Sequence, residues 1–242
     1  MSMSILPGQS SSISTPFVAS EHSNDGKKHL LLAASGSVAT IKLPNIVRAL
    51  SRYPNLSIRI VVTKTAESFL AGQSAEQPLL SSLYRERNVD GIYRDEDEWA
   101  KHWVRGEAIL HIELRRWSHL LVIAPLSANT MAKMTIGFAD GLLLSIVRAW
   151  DTTGEIDGDC KKRIIVAPAM NTAMWRQPIT KKQIKVLEED WGANADADGW
   201  IEVLRPIEKT LACGDNGDGA MREWSDVVSC IEERLNLKDK DI

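Results

Sequence analysis

The chain reads as one α/β domain whose mostly parallel sheet is covered by helices on both faces. Three observations predict this. Short apolar runs recur at residues 28–34, 57–63, 120–124 and 163–167 and read as buried strands. Helical patterns alternate with them, the order that places a parallel sheet between helices. A length of 242 residues fits one large domain, and nothing in the pattern suggests a second core.

In chain order, residues 28–34 form the first strand. Gly36-Ser37-Val38 then turns into a helix that runs to about Leu50. Residues 57–63 are a second, β-branched strand, and residues 66–71 start a helix. Residues 73–106 look irregular, with the acidic run Asp95-Glu96-Asp97-Glu98 inside them. Residues 110–117 form a short helix ahead of a third strand at 120–124. Residues 127–133 and 142–149 are helical, and 163–167 is the next strand. A helix over 178–191, a last short strand over 200–204 and a closing helix over 224–235 complete the domain, which spans residues 28–235. Residues 1–27, rich in serine, are expected to be a disordered tail, and residues 236–242 a second one. The loops at 152–162 and 192–199 read as surface insertions.

The net charge of −3 argues against nucleic acid as main partner. The longest apolar runs fall far short of a membrane span. Cys160, Cys213 and Cys230 are odd in number and contain no C-x-x-C pair. Neither a disulfide framework nor a metal site follows, and the expected compartment is the reduced cytosol.

Three polar turns follow strands. Ser35-Gly36-Ser37-Val38 follows the first, Thr63-Lys64-Thr65 the second, and Ser127-Ala128-Asn129-Thr130 the third. Glycine allows close backbone approach, and hydroxyls with free amides at a helix start suit an anion. Ordinary turns with N-caps would look the same, although one polar residue suffices for a cap and the third turn has three. None is the dinucleotide pattern G-x-G-x-x-G. Beyond the fourth strand, Asn171 stands where a ligand meets an open α/β sheet, outside the carboxyl ends of the strands. His111 lies among apolar residues, a setting that suits a structural histidine as well as a proton acceptor. Cys213 sits in a stretch with glycines at 214, 217 and 219, the composition of a flap or of a simple surface loop.

Three blocks taken together carry a resemblance. Pro168-Ala169-Met170-Asn171-Thr172-Ala173-Met174-Trp175 resembles the Pro-x-Met-Asn-x-x-Met-Trp signature of the flavin-containing cysteine decarboxylases. His111-Ile112-Glu113-Leu114-Arg115-Arg116-Trp117 resembles their histidine block, and residues 211–221 their cysteine-bearing flap. In this order the blocks resemble the phosphopantothenoylcysteine decarboxylase family, of the plant and fungal halotolerance type. The resemblance covers residues 28 to about 235 and implies a Rossmann-like or flavodoxin-like flavoprotein fold.

It also implies FMN as cofactor, held by Gly36, Ser37, Val38, Thr63, Thr65, Phe69, Ser127, Ala128, Asn129, Thr130 and Ala169. The implied substrate is 4'-phospho-N-pantothenoyl-cysteine, met by Asn171, Met174, Arg115, Ala212 and Cys213, and the implied product is 4'-phosphopantetheine of coenzyme A synthesis. The catalytic residues carried over are His111, Asn171 and Cys213. The cysteinyl thiol would be oxidised to a thioaldehyde with the flavin as electron acceptor, carbon dioxide would leave, and the enethiol would be reduced again with a proton from Cys213. The assembly implied is a homotrimer with sites at subunit boundaries. A hetero-trimer, or a regulator that binds a Ser/Thr protein phosphatase, is the rival drawn from halotolerance relatives. A prenyltransferase on the same scaffold is another.

Overall fold

The computed structural model describes residues 17–158, 161–193, 198–210 and 216–237. In chain order the elements are β1 (Lys28–Ala34), α1 (Leu43–Leu50), β2 (Leu56–Val62), α2 (Lys64–Glu67), β3 (Ala71–Ser74), β4 (Gln77–Leu79), β5 (Val89–Tyr93), α3 (Asp95–Glu98) and α4 (Leu110–Trp117). There follow β6 (Leu120–Leu126), α5 (Ala128–Thr135), α6 (Leu142–Arg148), β7 (Arg163–Pro168), α7 (Thr172–Arg176), α8 (Pro178–Lys185), β8 (Ile201–Val203), β9 (Ile207–Thr210), β10 (Asn216–Ala220) and α9 (Trp224–Leu235).

Six strands form one parallel sheet in the order β5-β2-β1-β6-β7-β8. β1, β2, β6 and β7 are buried almost throughout, because helices cover both faces. Side chains alternate across a strand, so β1 feeds two cores. Leu30, Leu32 and Ala34 pack with Ile46 and Val47 of α1 and Val227 and Ile231 of α9. Leu31 and Ala33 pack with Leu114 of α4, Met131 of α5 and Ile146 of α6. The strand order runs outward from β1 in one direction and then restarts with β6 on its other side. That reversal leaves a crevice at the carboxyl ends of β1 and β6, where open α/β sheets bind ligands.

Several expectations are corrected. Residues 73–106 are not irregular: they hold part of the β3–β4 hairpin, a 3-10 turn over Leu80–Arg85, the edge strand β5, and α3. β5 reads Val-Asp-Gly-Ile-Tyr and hides its strand character because it pairs only with β2. Helix α2 ends at Glu67, and Ala71 already belongs to β3. The helix from Pro178 turns into a π-helical stretch over Val186–Asp190. The β9–β10 hairpin was unforeseen.

The expected tail at 1–27 is corrected for residues 17–27. Residues Ala19–His22 form a 3-10 turn. Phe17 joins the core beneath α4, with the Arg59 guanidinium carbon 3.8 Å from its ring centroid. The backbone N–H of Ala19 donates to Oε2 of Glu113 at 2.8 Å. An aromatic ring and a stacked cation hold this segment, which its serine-rich composition did not reveal. Residues 1–16 and 238–242 lie outside the described residues.

Candidate active site

The three polar turns lie along the crevice at the switch point. Each has a residue that caps its own helix start. Ser37 Oγ accepts the N–H of Ala39 at 3.4 Å, Thr63 Oγ1 that of Ala66 at 3.3 Å, and Ser127 Oγ that of Thr130 at 3.3 Å. The capping reading therefore holds for one residue per turn. Thr65 and Asn129 cap no helix among the described residues and are exposed to the crevice. A Cβ on Gly36 would lie 2.7 Å from Cγ2 of Thr65, so only glycine lets the first and second turns approach this closely.

Two adjoining cavities occupy the crevice and share Gly36, Ser127 and Asn129. The smaller, about 210 Å³, is polar, with Thr63, Thr65 and Thr130 joined by Lys64, Lys133, Asp95 and Asp140. The larger, about 650 Å³, is more apolar, with Ser37, Val38, Ile41, Phe69, Ala128, Ala169, Met170 and Met174 on its walls and Lys42 and Arg222 at its rim. All eleven residues expected to hold a cofactor line one cavity or both. A polar cradle that continues into a wider apolar cleft fits a group with a charged end and a flat aromatic end.

Asn171 lines the larger cavity and is also the N-cap of α7: its Oδ1 accepts the N–H of Met174 at 2.8 Å. Because the oxygen is committed to the helix, the amide NH₂ is the end left to donate to a ligand. The hairpin strand β10 closes over this loop. The N–H of Met170 donates to the carbonyl of Gly219 at 3.0 Å, and a Cβ on Gly219 would lie 2.3 Å from the Met170 carbonyl oxygen. Gly219, Ala220 and Met221 line the same cavity. Cys213 and Ala212, expected to meet the substrate from a glycine-rich flap, lie outside the described residues.

His111 lines neither cavity. It is half-buried on α4, and its Nδ1 stands 2.7 Å from Oε1 of Glu98. Arg115, expected to meet the substrate, is corrected. Its side chain is buried, with NH1 donating to the carbonyl of Ala149 at 3.0 Å and NH2 to Asp157 at 2.6 Å. One step around the helix, Arg116 is the exposed arginine, and it pairs with Glu113 at 2.8 Å. Leu114 and Trp117 anchor α4 on the core, which turns Arg115 toward the 151–157 loop.

Three residues of the acidic run make specific contacts. The N–H of Arg94 donates to Oδ2 of Asp97 at 2.7 Å, which caps α3. Oδ1 of Asp95 accepts the N–H of Leu142 at 2.8 Å, and so caps α6, whose own N-cap residue is a glycine. Glu98 takes His111. Four acidic residues in a row carried no spacing signal for Leu142 and His111, which lie 47 and 13 residues away from their partners. Among the described residues no group of three or more His, Cys, Asp or Glu could hold a metal ion, and no helix is long and apolar enough to cross a membrane.

The fold and crevice define a Rossmann-type flavin-binding protein. In agreement, the model of the flavoprotein family matches residues 18–236. The chain is 43% identical over 205 residues to Phosphopantothenoylcysteine decarboxylase of Arabidopsis thaliana, covering 85% of this chain and 84% of that one. Among solved structures it is similar to a cysteine-to-serine mutant of PPC decarboxylase complexed with pantothenoylaminoethenethiol (TM-score 0.69, 41% identity, 87% of this chain and 99% of that one). It is likewise similar to the FMN binding protein AtHal3 (TM-score 0.65, 42% identity, 86% and 96% covered). The chain belongs to the phosphopantothenoylcysteine decarboxylase family of flavoproteins. It spans 31% and 36% of the length of the first curated relatives it matches, longer proteins of Schizosaccharomyces pombe and Saccharomyces cerevisiae.

Proposed function

We propose that the chain decarboxylates 4'-phospho-N-pantothenoyl-cysteine to 4'-phosphopantetheine with FMN as cofactor. The single observation behind this reading is the meeting of Asn171 with the complete set of cofactor-site residues around one crevice. Gly36, Ser37, Val38, Thr63, Thr65 and the 127–130 turn would hold FMN, with Phe69 and Ala169 beside it. When bound, FMN supplies a two-electron sink that is restored within one turnover.

The chain's own residues bind, orient and move protons. The Asn171 amide donates to the substrate carboxylate. A neutral donor recognises the carboxylate without the full ground-state stabilisation of a cation, which would oppose its loss as carbon dioxide. Met174, 43% exposed, offers an apolar contact beside it. The hairpin that ends in β10 closes over the cleft and limits water. His111 serves the early proton transfer, and Cys213 returns a proton to the enethiol. The active assembly is a homotrimer in the cytosol, and the placement of His111 outside both cavities supports a site completed across a subunit boundary.

The test is direct. Purified protein, reconstituted with FMN and given the substrate under anaerobic conditions, should turn yellow and release carbon dioxide. Cys213→Ser should still release it but accumulate the enethiol. A colourless protein that takes up no FMN, or a yellow one with no turnover, overturns the reading.

A further inference from the structure

His111 has a partner that no sequence motif announces. Glu98, the last residue of α3, places Oε1 2.7 Å from Nδ1 of His111. Its side chain is 4% exposed and that of His111 21%. The second carboxylate oxygen, Oε2, is buried and has no hydrogen-bond partner among the described residues. We infer that Glu98 is a positioning residue for His111: it accepts a hydrogen bond from the Nδ1–H, fixes the ring's tautomer and orientation, and leaves Nε2 as the nitrogen that exchanges a proton with substrate. This inference rests on the decarboxylase reading above.

The physical case has three parts. A histidine's free nitrogen is decided by the hydrogen bond the other nitrogen makes. A buried carboxylate facing Nδ1 selects the Nδ1–H tautomer, the arrangement that aligns a catalytic imidazole in hydrolase triads. Second, the lock is mutual. With Oε2 already unpartnered, a ring that swung away would leave the whole carboxylate buried without a side-chain hydrogen bond, a costly state. Third, the helix that presents Glu98 is itself fixed. Asp97 caps it, and Asp95 ties it to the start of α6. Nε2 is therefore held in place from the side of the ring opposite the reacting atoms.

A plain ion pair that pins α3 to α4 would show the same contact, so the test needs a readout that pinning does not move. ¹⁵N-histidine spectra of the full chain loaded with FMN report the tautomer of His111, assigned by its loss in His111→Asn. Wild type should show the Nδ1–H form. Glu98→Leu should shift the ring toward Nε2–H. The rate at saturating substrate should then fall about 100-fold, the scale of one misaligned acid–base group, with KM and flavin absorbance nearly unchanged. Glu98→Gln, which preserves shape, should retain part of the rate and keeps the test open should Glu98→Leu fold poorly. An unchanged tautomer in both variants, or a rate within about threefold of wild type, overturns the inference. Should wild type release no carbon dioxide, the decarboxylase reading fails, and the tautomer measurement still decides whether Glu98 sets the ring.

Discussion

The Ser35 hydroxyl joins the ends of the two strands that part at the switch point. It accepts the backbone N–H of Ser127 at 2.8 Å and donates to the carbonyl of Pro125 at 3.0 Å. Ser35 is fully buried, out of reach of bulk solvent. Ser35→Ala leaves a buried N–H without its acceptor and should cost about 1–3 kcal/mol. FMN affinity should fall with it, since the Ser127 turn loses its tether. Urea denaturation and flavin titration check both, and an unchanged midpoint would remove Ser35 as the tie.

Gly36→Ala tests the cradle separately from the fold. The added methyl would lie 2.7 Å from Cγ2 of Thr65, so one of the two turns must shift. Because the clash sits at the crevice and not in a core, stability should change by less than about 1 kcal/mol. Flavin affinity should fall at least about tenfold, the equivalent of about 1.4 kcal/mol. Fluorescence titration with FMN, beside a melting curve, separates the two effects.

Asp151 predicts an acid limit. Burial pushes its carboxyl up, but hydrogen bonds from the backbone N–H groups of Asp157, Ile156 and Gly154 and from the Thr153 hydroxyl outweigh that and hold it at about 2. The folded-state value is depressed, so the contribution is present above the ordinary value of 3.8 and is lost as pH falls through about 2. It amounts to about 2 kcal/mol at neutral pH. Asp151→Asn should be less stable than wild type by about that much at pH 7, and the gap should close near pH 2. A gap independent of pH would show that the carboxylate charge does not staple this loop.

Phe17 should behave as part of the domain. Its ring meets the Arg59 guanidinium, which also lies 5.1 Å from the ring centroid of Trp117. Phe17→Ala removes a cation–π contact and an apolar anchor, and should cost about 1–3 kcal/mol. Hydrogen exchange at Ala19, whose N–H binds Glu113, should accelerate in the same variant. Wild-type protection at Ala19 would mean that Glu113 alone holds the segment.

What the sequence determined by itself was the local part of the answer. β1, β2, β6 and β7 were legible because strands buried on both faces need unbroken apolar runs. The serine and threonine turns, and Asn171 after β7, were legible because a helix start demands a polar residue at a set position. The tertiary structure decided which distant groups meet. Asp95 caps a helix 47 residues away, Glu98 faces His111, Arg115 turns inward while Arg116 stays in solvent, and Phe17 lies under a cation from β2. No local pattern contains these choices. A side chain's own chemistry says what bond it can make, but only the packing of helices onto the sheet sets the rotation that brings one partner, and not its neighbour, within reach.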